Sequence, residues 1–139
     1  MNGNHVYITI PITYSGPGSL IPGLTDGWNM AISQAWTGQF GQYDVSTIVT
    51  DGPENQIFVS CTSGRADVHP GNNSGIWPAF GDPRVPPHEA GHLMGLGDQY
   101  WPWSGQPFSG SEHDIMGVLG QPPSEGDIAE IINWSQGRL

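Results

Sequence analysis

Residues 88–98 constrain this chain more than any other segment. They read His-Glu-Ala-Gly-His-Leu-Met-Gly-Leu-Gly-Asp. A helix through the first half puts His88 and His92, four residues apart, on one face, where two imidazoles can grip one metal ion. Glu89 lies one step round that helix, within reach of water at the ion without being a ligand. Two histidines leave a four-coordinate site incomplete, so a third protein ligand is needed. Gly95, three residues after His92, can end the helix and turn the chain, because it has no Cβ to strain a left-handed backbone. Asp98, three residues further on, can then swing a carboxylate back to the ion. His113 is the alternative third ligand, and the Gly-x-x-Asp spacing favours Asp98. The bland alternative is a surface helix with two solvated histidines and a salt-bridging Glu89. The motif's length argues against it: His-Glu-x-x-His alone arises by chance in roughly one such chain in a few hundred, and fixing Gly95 and Asp98 lowers that about a hundredfold.

Composition narrows the chemistry further. The 139 residues hold three basic and thirteen acidic side chains, for a net charge of -10, and the basic ones are all arginine (Arg65, Arg84, Arg138). Without lysine, Schiff-base catalysis and a Walker-type phosphate loop are excluded. Three scattered arginines make no nucleic-acid surface. The acidic field favours basic or neutral partners. Cys61 is the only cysteine, which rules out an internal disulfide and a cysteine-rich zinc site. Its apolar surroundings in sequence read as those of a small buried hydrophobe. No apolar run is long enough to span a membrane, and no basic-then-apolar leader is visible. The 21 glycines and 13 prolines predict many loops, while six tryptophans, four tyrosines and four phenylalanines supply apolar area for a packed core.

The chain reads as one domain of α+β class. Residues 5–13 alternate and are β-branched, so they predict a strand, with Pro11 at an edge or at its end. Thr25 or Asp26 can cap a helix running to about Trp36, with Gly38 as its stop. Strands are expected over 45–50 and 56–62, with shorter ones near 66–69 and 75–79. The motif helix should begin near Pro86 and end by Gly95 or Gly97. Residues 97–123 form a long loop, which in a compact domain is usually functional. Ser124, with Asp127 three residues on, marks the start of a last helix reaching about Trp134. Within the loop, Tyr100-Trp101-Pro102-Trp103 and Phe108 can either wall a pocket or pack over the last helix. Asp51, Glu54, Asp82, Glu112 and Asp114 read as solvated loop acids, and His5 and His69 as structural or solvated histidines.

His88-Glu89-x-x-His92-x-x-Gly95-x-x-Asp98 resembles the metzincin metalloprotease signature, and its Asp ending is similar to that of the small snapalysin-like neutral proteases. Asp114-Ile115-Met116-Gly117 resembles the family's Met-turn. The same residues are similar to the metallopeptidase domains of Rhs-type polymorphic toxins, which carry a downstream Ile-Met-Gly. The resemblance implies a compact zincin fold: a twisted mixed sheet with two helices up to about residue 95, then a small C-terminal subdomain from about 96 to 139. It implies Zn²⁺ on His88, His92 and Asp98, Glu89 as general base, Met116 beneath the ion, and Tyr100 as the nearest candidate for a transition-state contact. It also implies a monomeric endopeptidase acting on a peptide or protein, with no nucleic-acid or membrane partner. The chain would be secreted or delivered within a larger exported protein. A toxin domain would in addition have a narrow protein target and a cognate inhibitor or immunity protein. A zinc-binding module without catalysis is the contrasting expectation, and an intact Glu89 speaks against it. Substrate is expected to pair with an edge strand from residues 66–79. Two departures from the family stand out. Pro86 and Pro87 crowd the start of the helix, and no tyrosine closely follows Met116.

Overall fold

A computed structural model describes residues 4–64, 66–69, 73–101, 104 and 106–137. Pro102 and Trp103 of the aromatic loop, and Arg65 and Arg138, lie outside them. Seven strands and three helices follow in the order β1 (Asn4–Pro11), β2 (Thr13–Ser15), α1 (Leu24–Ala35), β3 (Gly38–Phe40), β4 (Tyr43–Thr50), β5 (Gln56–Ser60), β6 (Asp67–His69), β7 (Ser74–Pro78), α2 (Val85–Leu93) and α3 (Glu125–Gly137). The α+β expectation holds. No helix among the described residues is long and apolar enough to cross a membrane.

The strands form two hydrogen-bonded sheets, ordered β1-β4-β3 and β2-β5-β7-β6. The pairs β1–β4, β2–β5 and β5–β7 are parallel, while β3 and β6 are antiparallel outer strands. The two sheets meet at Ile12. Its N–H donates to the Thr50 carbonyl at 2.8 Å, and the next N–H, of Thr13, donates to the Asn55 carbonyl at 2.8 Å. Successive N–H groups of an extended chain point to opposite edges. Residues 4–15 therefore serve as one central strand, with β4 on one side and β5 on the other. Strand β1 ends at Pro11, whose nitrogen falls on the side away from β4, so its missing N–H costs that ladder nothing.

Ile8, Ile10 and Val45 on the sheet, and Ile32 and Trp36 on and just after α1, form one buried core with Ala90, Leu93, Ile115, Met116, Ile128 and Ile131. Trp36 is fully buried, and its Nε1–H donates to the Pro87 carbonyl at 2.8 Å. That bond ties the end of α1 to the first turn of the motif helix.

Three local expectations are corrected. Helix α1 begins two to three residues earlier than a cap at Thr25 or Asp26 would place it. Gly23, at φ 78°, is its N-cap and no side chain caps it; the left-handed glycine turns the extended Ile21 that follows a 3₁₀ turn at Pro17–Leu20 into the helix, and the Leu24 N–H donates to the Ile21 carbonyl. Strand β3 was not foreseen; Gly38 opens it rather than merely stopping α1. Cys61 is exposed. Ile57 and Val59 of β5 point inward, and alternation would bury Cys61 too, but the strand ends at Ser60 and the chain bends away.

Candidate metal centre

Helix α2 starts at Val85 with Pro86 and Pro87 in its first turn, where a missing N–H costs nothing. Its end is built by Gly95. At φ 99°, Gly95 donates its N–H to the His92 carbonyl while the Leu96 N–H reaches back to the Gly91 carbonyl, both at 3.0 Å. This paired closure reverses the chain directly after the second histidine. A Cβ on Gly95 would also lie 2.6 Å from the Trp134 ring of α3, so glycine is needed there for backbone and for space.

The reversal sets both imidazoles. His92 Nδ1 lies 2.8 Å from the Leu96 carbonyl, and His88 Nδ1 lies 2.9 Å from the Ile115 carbonyl. A carbonyl only accepts, so each Nδ1 carries the hydrogen and each Nε2 is turned toward the other side. Both Nε2 atoms converge on Asp98 Oδ1, at 3.2 Å from His88 and 2.9 Å from His92. Glu89 Oε2 stands 3.9 Å from His92 Nε2. The histidine side chains are 4% and 8% exposed, and Glu89 is 12% exposed. Ligand atoms of His88, Glu89 and His92 all lie within 4.8 Å of one another, and this buried group can hold a metal ion.

The donor set fits a small divalent cation. Ligands at 2.0–2.1 Å in a tetrahedron stand about 3.3 Å apart, and the two Nε2–Oδ1 separations lie close to that. Without the ion, charge does the same work. Burial works against a charged His92, but hydrogen bonds to Asp98 and to the Leu96 carbonyl, with the nearby Glu89 charge, outweigh it and raise its pKa. Burial likewise opposes charge on Asp98, and hydrogen bonds from the two histidines overcome it and hold its carboxyl well below the usual range.

Residues 114–117 form a tight turn against this group. Asp114 Oδ1 accepts the Met116 N–H at 2.9 Å, and the Gly117 and Val118 N–H groups donate to the Asp114 carbonyl. The Gln99 N–H donates to the Met116 carbonyl at 2.8 Å, which ties the turn to the residue after Asp98. Met116 is fully buried and lies beneath Gly91, between the two histidines: a Cβ there would run into Met116 Sδ and sit 3.2 Å from Trp36. The turn thus carries the Ile115 carbonyl that orients His88 and the sulfur that packs under the helix.

Asp114 corrects an expectation. It is 6% exposed, a buried turn former rather than a solvated acid. It also acts on Asp127, whose carboxyl is pushed up to about 7, first by burial and then by Asp114. Asp127 in turn makes the reciprocal cap of α3 with Ser124, as the sequence suggests, and accepts Gln99 Nε2 at 2.9 Å. Gln99, Asp114, Asp127, Gly91 and Trp36 were all missed as site supports. Only the Gly in the motif and the acid three residues after Ser124 carried any sequence signal.

His113, the alternative ligand, is exposed; neither it nor Asp98 belongs to the group of His88, Glu89 and His92, but Asp98 Oδ1 lies within 3.2 Å of both histidine Nε2 atoms. The Tyr100 ring lies 6.2 Å from that of His88. It lines a cavity of about 430 Å³ together with Glu89, Ala66, Val85, Val118 and Leu119. Trp101 stacks on Phe108, with ring centroids 4.6 Å apart, and is 45% exposed. The described part of the aromatic loop therefore supplies one ring to the cavity and packs the next on itself. No protein-family model matches this chain, and no curated protein is similar enough to be a relative.

Proposed function

We propose that this chain is a zinc-dependent endopeptidase of the metzincin type. One observation carries the reading. Two imidazoles held by backbone carbonyls and one carboxylate converge on a point, with a second, nearly buried carboxylate beside it and a cavity opening next to it. His88, His92 and Asp98 would hold the ion. When bound, zinc supplies Lewis acidity, polarising a substrate carbonyl and lowering the pKa of water.

Glu89 is the proton carrier. Its Oε2 stands 3.9 Å from His92 Nε2, near enough to the histidine pair to take a proton from water and return it to the leaving amine. The nearly buried setting of Glu89 keeps competing water away. The outer strand β6, antiparallel to β7, offers an edge on which an extended peptide can pair. Ala66, Val85, Val118 and Leu119 line the cavity beside Glu89, so it accepts an apolar side chain next to the scissile bond. Tyr100 closes its side near His88.

The test is cleavage of a peptide library with product mapping. The expected result is hydrolysis abolished by a chelator, restored by zinc, lost in Glu89→Gln, and biased to an apolar residue adjoining the cut. Hydrolysis that survives both the chelator and Glu89→Gln would overturn the reading.

A further inference from the structure

The central strand has an open edge outside the cavity that Glu89 and Tyr100 line. The Ile12 N–H faces β4, whereas the Thr13 N–H faces the β5 side, and Asn55 Nδ2 donates to the Pro11 carbonyl at 2.8 Å on that same side. By alternation, the even-numbered residues of β1 bond to β4, and the backbone groups of Tyr7 and Thr9 point the other way. Strand β5 begins at Gln56, opposite Thr13. Among the described residues, no strand lies beside Tyr7 and Thr9.

A cavity of about 430 Å³ occupies that place, and six consecutive β1 residues, 6–11, line it. Neighbouring side chains of a strand point to opposite faces, so all six can border one cavity only along the strand's edge. Its opposite wall is apolar, built by Leu93 and Met94 at the end of α2 and by Ile131 and Ile132 of α3. Backbone donors and acceptors on one side and an aliphatic wall on the other specify an occupant. It is an extended backbone with an apolar side chain at every second residue.

Charge selects among such segments. Among the described residues the lining contains Glu54 and no cationic side chain, and the chain as a whole carries a net charge of -10. We propose that this slot binds an extended segment of another protein, apolar at alternate positions and basic between them, which adds as a strand to the free edge of β1. The proposal does not rest on the peptidase reading.

The probe is a fluorescent peptide alternating valine with arginine and threonine. Two N-methylated versions are compared with it, each blocking one of the two alternating sets of backbone N–H groups. In the protein, Thr9→Pro removes one of the two free-edge donors, leaving that of Tyr7, and keeps the β4 ladder intact; Pro11 already occupies that parity. The expected result is saturable binding with Kd of about 10–100 μM. One methylated version and the Thr9→Pro protein should each bind about tenfold or more weakly, and a glutamate-for-arginine probe about fivefold more weakly. Binding should persist in chelator and in Glu89→Gln, which separates this slot from the cleft. No saturable binding overturns the proposal, as does binding indifferent to Thr9→Pro and equal for the two methylated versions. A concentration-dependent dimer that Thr9→Pro dissolves would assign the edge to a second copy and overturn it too. If Thr9→Pro does not fold, the paired methylated probes decide.

Discussion

Replacing Asp114 by asparagine asks whether the turn beneath the metal group and helix α3 are joined by a shared proton. Asp114 and Asp127 are 6% and 2% exposed, and Asp114 raises the Asp127 pKa in the manner of a hydrogen-bond partner. Two carboxylates make such a bond only with a proton between them. Burial first, then Asp114, raises Asp127 from 3.8 to about 7, against hydrogen bonds from Ser124 and Gln99 that lower it. The folded chain thus holds this proton more tightly than the unfolded chain. Its contribution to stability is complete below pH 3.8 and is lost as pH rises through about 7. The full displacement would be worth about 4 kcal/mol. Screening by solvent near the first turn of α3 and by the two donors brings the expected effect to about 2 kcal/mol.

Asp114→Asn keeps an oxygen for the Met116 N–H, offers Nδ2 to Asp127, and removes the like charge. Urea unfolding of both proteins in chelator, between pH 5 and pH 8, keeps metal binding out of the comparison. Burial, the larger cause of the shift, stays in the variant, so the variant should gain about 1 kcal/mol relative to the parent across that range. Parallel stability curves would refute the shared proton.

Other substitutions follow from the packing. Gly91→Ala drives a methyl into Met116 Sδ and toward Trp36; calorimetry should show a loss of about 1–3 kcal/mol. Gly95→Ala strains a backbone at φ 99° and meets the Trp134 ring. It should displace the Leu96 carbonyl from His92 and weaken zinc affinity about tenfold or more by competition titration. Trp36→Phe leaves the Pro87 carbonyl without its donor; chemical denaturation should show a loss of about 1–3 kcal/mol.

Sequence reading succeeded where one local rule decides the outcome. The glycine stop after His92 and the Ser124–Asp127 cap depend on residues within a few positions, and both formed as expected. The strand periodicities of 45–50 and 56–62 located β4 and β5 to within two residues. Reading failed where the deciding partner is distant in the chain. Gly91 is required by Met116, and Trp36 by Pro87; neither pairing has a local signature. Asp114 looks like any loop acid until the fold buries it against Asp127. The open edge of β1 depends on where β5 begins to pair, which no pattern within residues 4–11 records.

The central claim is that His88, His92 and Asp98 hold one catalytic zinc ion beside Glu89. The most direct test strips the purified parent, Glu89→Gln and Asp98→Ala proteins of metal and titrates each with zinc by calorimetry, with peptide hydrolysis measured on the same samples. The account predicts one tight equivalent in the parent and in Glu89→Gln, at least about tenfold weaker binding in Asp98→Ala, and cleavage by the zinc-loaded parent with none by Glu89→Gln. Absence of stoichiometric zinc in the folded parent, or undiminished cleavage by Glu89→Gln, would contradict it.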